Sequence, residues 1–288
     1  MKNMKTVSAK GLELPILGQG GWTIGDNPAK AAEEKAALRR GVALGMTLID
    51  TAEMYGEGAS EVLIGEALAN ISRGSYQLVS KVYPHNAGRE TIFRSCDASL
   101  RRLQTDYLDI YLLHWRGAVP LAETVDCLEE LVQAGKIRRW GVSNFDTADM
   151  AELFTLPNGK NCAVNQVLYN MGSRGIEYDL LPFMREHDVP LMAYCPLAQA
   201  GRLYRMNRDF SVNKTLLRVA KSYGISIMQL LLAFVLKQDT AIAIPKAGSV
   251  MHIEDNFRML SIRISDEDWA EIDTVFCPPT TKMHLDME

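Results

Sequence analysis

The stretch "MTLIDTAEMYGEGASEVLIGEAL", residues 46–68, holds the signals of a strand, a loop and a helix in immediate succession. Its first apolar run predicts a short buried strand that closes at Asp50. A loop of small and acidic residues follows and carries Tyr55. Ser60 predicts the N-cap of a helix that continues to Leu68, because a serine side chain can accept a hydrogen bond from the first helical turn. This stretch therefore predicts one strand–loop–helix unit.

The same unit recurs along the chain, after an opening hairpin that is predicted to turn at Lys10 and Gly11. Short runs rich in Val, Ile and Leu alternate with amphipathic stretches, and we count eight such runs. The interval Leu197–Asn213 predicts a long loop. The predicted helices are Pro28–Leu44, Ser60–Leu68, Arg89–Leu103, Leu121–Ala134, Thr147–Leu156, Tyr178–Glu186, Lys214–Tyr223, Ser226–Lys237, Ser249–Phe257 and Asp266–Val275.

Apolar strands that alternate with helices are typical of a parallel sheet. Eight such units in 288 residues predict a closed (β/α)₈ TIM barrel of the α/β class, with an N-terminal β-hairpin and extra C-terminal helices, in a single domain spanning 1–288. An open, doubly wound sheet is the rival, and spacing alone does not exclude it. The chain has no G-x-G-x-x-G after its first strand, where an open dinucleotide-binding sheet would carry one, so the barrel is favoured.

The composition narrows the possible partners. A formal net charge of -4 and the lack of a Lys/Arg run argue against nucleic acid or an anionic membrane as a partner. The first residues have no apolar signal-peptide core, and no apolar run approaches the roughly 20 residues of a membrane helix. The five cysteines are scattered without a C-x-x-C, and the histidines have no metal-ligand spacing. We therefore expect a cytoplasmic protein without a metal site.

Polar residues close most of the eight predicted strands. In a barrel of parallel strands, the active site lies at the carboxyl ends of the strands and in the loops that follow them. Consecutive strand ends would lie side by side at this mouth, so their side chains are the candidates for chemistry. The residues at the eight strand ends are Gly20, Asp50, Lys81, His114, Asn144, Gln166, Tyr194 and Lys246.

Three of these strand-end residues, together with Tyr55 on the loop after Asp50, are predicted to form a proton donor. A free tyrosine has a pKa near about 10, and a nearby ammonium stabilises its phenolate. Lys81 is expected to lower the pKa of Tyr55 in this way, with Asp50 holding Lys81 charged and in place. His114 could donate a hydrogen bond to a carbonyl oxygen as its charge grows. These groups predict general acid catalysis of carbonyl reduction by Tyr55.

Carbonyl reduction needs a source of electrons. With no metal site or cysteine pair evident, a nicotinamide hydride donor is the simplest expectation. The amides of Asn144 and Gln166 could pair with its carboxamide, and Tyr194 could stack on its ring. Gly20 and Gly21 would allow close approach of the ligand to the backbone.

The chain resembles the aldo-keto reductase family over its whole length. The matching segments are "LGQGGW" (17–22), "LIDTAEMYGEG" (48–58), "LVSKVYP" (78–84), "LDIYLLHW" (108–115), "IRRWGVSNF" (137–145), "VNQVLYN" (164–170), "AYCPLAQAGRL" (193–203) and "IAIPKAG" (242–248). The resemblance implies a (β/α)₈ barrel that reduces aldehydes and ketones with NADPH bound in extended conformation. It also implies a catalytic tetrad of Asp50, Tyr55, Lys81 and His114.

The resemblance implies cofactor contacts along the same mouth. They fall on Gly20, Gly21, Trp22, Asp50, Ser143, Asn144, Gln166, Tyr194, Cys195, Pro196, Leu197, Gln199, Gly201, Lys246, His252, Asp255 and Asn256. The chain departs from the family where Ala247 and His252 replace a serine and an arginine that bind the 2′-phosphate. Histidine does not reproduce the bidentate fork of arginine, whereas Lys246 keeps a point charge there. We therefore expect NADPH to be preferred, with NADH also possible.

The substrate pocket is expected to be lined by Trp22, Met54, Tyr83 and Trp115, which stand just beyond strand ends. The segments "AYCPLAQAGRL" and "KMHLDM" (282–287) resemble those of bacterial family members that reduce small aldehydes such as methylglyoxal. A monomer is the common state in the family and is the expectation here.

Two other functions stay open at the level of sequence. Lys81 could form a Schiff base in an aldolase-like barrel, although a neighbouring Asp50 would keep its amine charged and poorly nucleophilic. Alternatively, the chain could be a non-catalytic protein of the same fold that senses nicotinamide nucleotides. The complete tetrad argues against such a sensor.

Overall fold

The computed structural model describes residues 4–203 and 208–288, which include every predicted site residue. The chain opens with an antiparallel hairpin of β1 (Thr6–Ala9) and β2 (Leu12–Pro15). The two predicted turn residues between them have φ angles of 47° and 86°. These left-handed values suit a tight turn and confirm the predicted hairpin.

A parallel sheet of eight strands, counted over the described residues, forms the centre of the molecule. Each strand pairs with the next one along the chain, in the order expected when every crossover contains a helix. A second small antiparallel pair, β10 (Arg202–Leu203) with β11 (Arg208–Asp209), lies outside this sheet. The sheet strands are β3 (Gln19–Gly20), β4 (Leu48–Asp50), β5 (Gln77–Val82), β6 (Leu108–Leu113), β7 (Ile137–Ser143), β8 (Asn165–Leu168), β9 (Leu191–Tyr194) and β12 (Ala241–Ala243).

Hydrogen bonds between its first and last strands close the sheet into a barrel. The Gly18 N–H donates to the Ala243 oxygen at 2.8 Å, and the Ala243 N–H donates to the Ile16 oxygen at 2.8 Å. Nearer the mouth, the Gly20 N–H donates to the Pro245 oxygen at 3.0 Å. An open sheet would leave these edge groups unpaired. The barrel is therefore confirmed, and the doubly wound alternative was wrong.

Helices follow the strands much as predicted. The last predicted helix, Asp266–Val275, has the bounds expected from sequence, whereas the first begins at Ala31 instead of Pro28 because the 3₁₀ turn Pro28–Lys30 precedes it. No single helix in the described part of the chain is long and apolar enough to span a membrane; the helices Lys214–Ser222 and Ile227–Leu236 reach that length and composition only together, with a bend of 85°. The helices are α1 (Ala31–Leu44), α2 (Ala59–Leu68), α3 (Ile92–Leu103), α4 (Leu121–Gln133), α5 (Thr147–Thr155), α6 (Leu180–Glu186), α7 (Lys214–Ser222), α8 (Ile227–Leu236), α9 (Val250–Arg258) and α10 (Asp266–Val275).

The predicted cap of α2 was wrong. Gly58, in the left-handed conformation with φ 93°, is the N-cap residue, and Ser60 is fully buried inside the first turn. The Ser60 hydroxyl instead donates to the Gly21 oxygen and accepts from the Thr51 hydroxyl, each at 2.9 Å. Ser60 therefore ties the helix to the ends of β3 and β4. The local sequence does not show whether a serine at this position caps the helix or forms a hydrogen bond with a distant segment of the chain.

The interior of the barrel is divided between an apolar end and a polar end. The N-terminal hairpin covers the apolar end, where its side chains pack with those of the strands. Charged and amide side chains of β4, β5 and β8 fill the opposite end, at the mouth. The apolar cluster contains Val7, Ala9, Leu14, Leu48, Val79, Ile110, Leu112, Val164, Met192 and Ile242.

The predicted long loop Leu197–Asn213 has more structure than expected. Its four residues Ala198–Gly201 all have positive φ, between 47° and 82°. The strands β10 and β11 and the 3₁₀ turn Phe210–Val212 follow. Residues 204–207 of the predicted loop lie outside the described residues. Its first part borders the mouth of the barrel, next to the end of β9.

Candidate active site

A buried ion pair lies at the centre of the mouth. Lys81 on β5 and Asp50 at the end of β4 are on adjacent parallel strands, and the Lys81 Nζ donates to the Asp50 Oδ2 at 2.8 Å. The same Nζ donates to the Thr51 carbonyl oxygen at 2.7 Å and to the Tyr55 hydroxyl at 3.0 Å. Both charged side chains are buried. The Asp50 carboxylate and the Thr51 carbonyl oxygen therefore hold the ammonium next to the Tyr55 hydroxyl.

Burial and pairing act in opposite directions on these two charges. Burial raises the pKa of Asp50 and lowers the pKa of Lys81, since each charged form loses its hydration. The opposite charge of the partner and the hydrogen bond between them counteract both shifts. Each ion is therefore the other's main compensation for the loss of hydration.

The loop after β4 brings Tyr55 back over the lysine. Three consecutive residues, Gly56, Glu57 and Gly58, have left-handed φ values of 57°, 52° and 93°, which turn the chain sharply towards α2. This turn places the Tyr55 ring against the barrel mouth, with its centroid 4.6 Å from the Lys81 Nζ. The two glycines of this loop thus suit the left-handed conformation that the turn requires.

The direction of the Tyr55 pKa shift differs from the sequence expectation. Burial, followed by the negative charge of Asp50, raises the pKa of Tyr55 well above its ordinary value of 10.0. The expectation of a lowered pKa considered only the ammonium and not the loss of hydration around a buried phenol. Tyr55 therefore holds its proton at neutral pH. If that proton leaves, the positive charge of the Lys81 ammonium can stabilise the phenolate that remains.

His114, directly after β6, faces Tyr55 edge-on with ring centroids 5.8 Å apart. Burial and the positive charge of Lys81 lower the pKa of His114 from 6.5 to about 2. The imidazole is therefore neutral, with one N–H to donate. Its Nδ1 is buried without a hydrogen-bond partner among the described residues. His114 thus has the character of a neutral hydrogen-bond donor at the mouth.

The predicted amide side chains form one network with the tetrad. The Gln166 Nε2 donates to the Asp50 Oδ1 at 2.7 Å, so Gln166 supports the carboxylate. The Asn144 Nδ2 donates to the carbonyl oxygen of His114 at 3.1 Å, and the Asn144 Oδ1 accepts from the Tyr194 hydroxyl at 2.8 Å. Asn144 holds a φ of 60° there. These bonds join β4, β6, β7, β8 and β9 across the mouth.

A cavity of about 950 Å³ runs from this network to the start of α9. Most predicted residues line it. The predicted residues on its wall are Gly20, Trp22, Asp50, Met54, Tyr55, His114, Ser143, Asn144, Gln166, Tyr194, Cys195, Pro196, Leu197, Gln199, Lys246, His252, Asp255 and Asn256.

The remaining predicted site residues do not line this cavity. A Cβ on Gly21 would lie 2.7 Å from the Asp50 oxygen, and one on Gly201 would lie 2.5 Å from the Met228 Cε, so both glycines serve close packing. Tyr83 and Trp115 pack against each other, with centroids 5.9 Å apart, beside His114. Lys81 acts behind Tyr55 and Asp50.

The far end of the cavity has a different chemistry. Lys246 and His252 lie on its wall near the N-terminus of α9, where the Ser249 hydroxyl caps the His252 N–H at 3.3 Å. Asn256, on the same helix, has a buried Nδ2 without a hydrogen-bond partner among the described residues. A helix N-terminus with basic side chains favours an anionic group, and a buried free donor favours a polar ligand.

Sequence reasoning missed several residues of the wall. Ser226, Met228 and Gln229, at the start of α8, belong to it, as do Ala200, Ile244 and Pro245. The Ser226 capping box marks only the start of a helix. Glu288 also reaches the wall, with its Oε2 accepting from the Gln199 Nε2 and 3.7 Å from the Cys195 Sγ. These residues could not be identified from the pattern of polar strand ends, because the folding of the chain, and not such a pattern, brings them to the mouth.

Several known proteins are similar to this chain over most of its length. Methylglyoxal reductase YeaE of Escherichia coli strain K12 is 50% identical over 276 residues, 96% of each chain. An NADH-specific methylglyoxal reductase of the same strain is 31% identical, over 89% of this chain and 93% of its own. The crystal structure of an aldo-keto reductase from Klebsiella pneumoniae in complex with NADPH superposes with a TM-score of 0.95 at 50% identity, covering 99% of each chain.

The model of the aldo/keto reductase family matches residues 16–276. This span runs from the first barrel strand to the end of the last helix, so it includes both the tetrad and the far end of the cavity. The resemblance that the sequence motifs indicated is thereby confirmed, together with the fold and the class of enzyme. The chain belongs to the aldo/keto reductase family.

Proposed function

We propose that this protein reduces small aldehydes and ketones, with 2-oxoaldehydes such as methylglyoxal as the substrate class, using NADPH as the hydride donor. The observation that carries the proposal is the 3.0 Å contact between the Lys81 Nζ and the Tyr55 hydroxyl at the wall of a large cavity. The identity to a methylglyoxal reductase and the superposition on an NADPH complex support the substrate class and the cofactor.

The residues of the cavity fit a dinucleotide. The buried, unpaired Nδ2 of Asn256 offers a donor for a base, and Lys246 with the N-terminus of α9 suits a phosphate. At the other end, Asn144 and Gln166 would hold a carboxamide and Tyr194 would support the ring. When bound, NADPH supplies the hydride that adds to the carbonyl carbon.

The chain's own residues provide the proton. Tyr55, kept protonated by burial, donates its proton to the carbonyl oxygen as negative charge develops there. The Lys81 ammonium stabilises the phenolate that remains, and Asp50 keeps the ammonium in place. Neutral His114 can donate a second hydrogen bond to the same oxygen. Tyr55 must regain a proton before the next turnover.

The wall near Tyr55 suits a small neutral substrate. Trp22 is 53% exposed and meets the Tyr55 ring edge-on at 5.0 Å, and Met54 lies beside them. Two acidic residues are on the cavity wall near the strand ends: Asp50, which is paired with Lys81, and Glu288, whose Oε2 lies 3.7 Å from the Cys195 Sγ. The Glu288 carboxylate would repel a phosphorylated sugar, whereas it would not repel a short neutral aldehyde.

The test follows absorbance at 340 nm while purified protein meets NADPH and methylglyoxal, together with a panel of other aldehydes. We expect turnover that falls by about 10²–10⁴-fold in Tyr55→Phe, because one general acid is lost. NADPH binding, followed by protein fluorescence, should be unchanged in that variant. Turnover in Tyr55→Phe within a factor of two of the original protein would refute Tyr55 as the acid.

The two alternative functions make different predictions in the same assay. A nucleotide sensor would bind NADPH without oxidising it in the presence of any aldehyde. A Schiff-base enzyme would be trapped by borohydride on Lys81, but the three hydrogen bonds of this ammonium hold it in the unreactive, protonated form.

The single domain, the monomeric state and the cytoplasmic location stay predictions. Size-exclusion chromatography with light scattering measures the oligomeric state directly. A particle of twice the chain mass would contradict the monomer.

A further inference from the structure

Glu61, in the first turn of α2, is a carboxylate buried completely just outside the barrel. The Ser80 hydroxyl donates to its Oε1 at 2.5 Å, and the Arg102 Nε donates to its Oε2 at 2.6 Å. A buried carboxylate is costly unless such partners compensate it. The reaction described above does not use this group, so its place in the fold needs another explanation.

The first partner connects Glu61 to the catalytic strand. Ser80 is fully buried and immediately precedes Lys81 on β5. Side chains of successive strand residues point to opposite faces, so Ser80 faces α2 while Lys81 faces the barrel interior. The bond from Ser80 to Glu61 therefore fixes the position of the backbone from which Lys81 extends.

The second partner connects Glu61 to the loop that carries Tyr55. A Cβ on Gly58 would lie 2.7 Å from both the Cδ and the Nε of Arg102, so the arginine side chain lies directly against this glycine. Gly58 closes the left-handed turn that begins at Gly56, directly after Tyr55. Arg102, anchored by Glu61 and by a 3.3 Å bond from its Nη2 to the Ser99 hydroxyl, thus supports the end of the loop.

The Glu61 carboxylate also acts on Lys81 through its charge. The groups that surround the Lys81 ammonium are Asp50 on β4, Tyr55 on the loop and His114 after β6, with Glu61 behind β5. The negative charges of Asp50 and Glu61 raise the pKa of Lys81 and oppose the effect of burial. Glu61 therefore helps to keep the ammonium protonated without touching it.

We propose that Glu61 is a positioning residue for the Tyr55–Lys81 pair, and that the positive charge of Arg102 sets how strongly the Glu61 carboxylate acts on Lys81. Through Ser80 it holds the strand of Lys81, and through Arg102 it holds the loop of Tyr55. The proposal rests on the proposed reductase function, because the pair it positions is the proton donor of that reaction.

The first test is Glu61→Gln, which keeps the size of the side chain and an oxygen that can accept from Ser80 but removes the charge. We expect kcat to fall by about 10- to 100-fold, since small displacements of reacting groups have costs of this order. The dissociation constant for NADPH should not change. The basic limb of the kcat profile should move to lower pH, because Lys81 then loses a charge that favours its protonated form.

The matched control is Glu66→Gln. Glu66 lies on the same helix and pairs with Lys35 at 2.5 Å, but its side chain is 47% exposed and distant from the tetrad's contacts. This variant should keep the original kcat and pH profile. A fall in kcat in both variants would assign the effect to the helix in general and overturn the proposal.

A double variant separates charge from folding. Glu61→Gln leaves Arg102 without its partner and could weaken the fold, whereas Glu61→Gln/Arg102→Gln removes both charges and leaves no uncompensated ion. We expect the double variant to melt closer to the original protein and its basic limb to shift less than in Glu61→Gln. An unshifted basic limb in both variants, or NADPH binding that falls in step with kcat, would show a merely structural role.

One readout does not depend on turnover. The titration of Lys81 can be followed by NMR of protein with labelled lysine, using Lys81→Met to assign the signal. The signal should titrate at lower pH in Glu61→Gln than in the original protein, whether or not any aldehyde is reduced. An inactive original protein would refute the proposed function, whereas an unmoved Lys81 titration would refute the role of Glu61.

Discussion

At the scale of single residues, the environment of a side chain decided its role more than its type did. Lys81 was identified from its position at a strand end and Tyr55 from its place on the loop after the strand that ends at Asp50, yet the sign of the Tyr55 pKa shift came from burial. His114 is likewise neutral because it is desolvated beside a positive charge. The two shifts keep Tyr55 protonated and His114 neutral at neutral pH.

The selectivity between NADPH and NADH is also a property of single residues. Lys246 and His252 line the far end of the cavity, and arginine at position 252 would offer a bidentate partner that histidine lacks. We expect His252→Arg to raise the NADPH-over-NADH ratio of kcat/KM by about tenfold, or about 1.4 kcal/mol. Lys246→Ala should raise the KM for NADPH and spare that for NADH. An unchanged KM for NADPH in Lys246→Ala would contradict the assignment of the phosphate to this end.

At the scale of elements, the C-terminal segment becomes part of the site because other elements hold it. Lys282 pairs with Asp179 at 3.2 Å, and the Ser173 hydroxyl donates to Asp286. Arg174 binds Asp273 on α10 at 2.6 Å, so the loop after β8 anchors both the last helix and the segment that follows it. Glu288 thereby reaches Gln199 on the cavity wall.

This placement predicts that the tail weakens cofactor binding. The Glu288 carboxylate lies on the wall where an anionic dinucleotide must pass, and like charges repel. Glu288→Gln should therefore lower the dissociation constant for NADPH by about two- to tenfold, equivalent to up to about 1.4 kcal/mol. Fluorescence titration measures it, with Glu267→Gln on exposed α10 as the control. Equal constants in all three proteins would show that the carboxylate moves aside without cost.

At the scale of the whole molecule, the closed barrel provides the low-dielectric site that these shifts require. Apolar side chains and the N-terminal hairpin fill one end, so polar groups collect at the other. Hydrogen bonds between β3 and the segment after β12 complete the ring. An open sheet could not bring Asp50 and Gln166, residues of β4 and β8, into the 2.7 Å contact seen here.

The buried side chain of His114 should make the free energy of unfolding depend on pH. His114 has a folded-state pKa of about 2, whereas in the unfolded chain it is near about 6.5. The unfolded state therefore binds an extra proton below pH about 6.5, and stability falls as the pH drops through that range. Between pH 7 and 5 this single group accounts for a loss of about 2 kcal/mol.

Urea unfolding at pH 7 and pH 5 measures this contribution. Glutamine does not titrate, so the free energy of unfolding of His114→Gln should fall by about 2 kcal/mol less than that of the original protein between pH 7 and pH 5. His284→Gln, in the exposed tail, should lose as much as the original protein. A similar loss in His114→Gln and the original protein would mean that His114 is protonated in the folded state at pH 5.

The sequence by itself determined the barrel, its hairpin and most helix bounds to within one residue, and it identified four residues as a tetrad, which stays a prediction. These features follow from local signals: the alternation of apolar runs, turn residues such as Lys10 and Gly11, and polar residues where strands end. Asp50, Lys81 and His114 could be placed together because consecutive parallel strands are neighbours in a barrel. The family motifs extended the prediction of site residues to the far end of the cavity.

Only the tertiary structure decided the features that depend on distant chain segments. The sign of the Tyr55 pKa shift, the bond of Ser60 to the barrel, the place of Glu288 on the wall and the Ser80–Glu61–Arg102 connection all arise from groups far apart in sequence. Desolvation and long-range hydrogen bonds have no periodic signature in the sequence. They exist only once the barrel has closed and excluded water from its mouth.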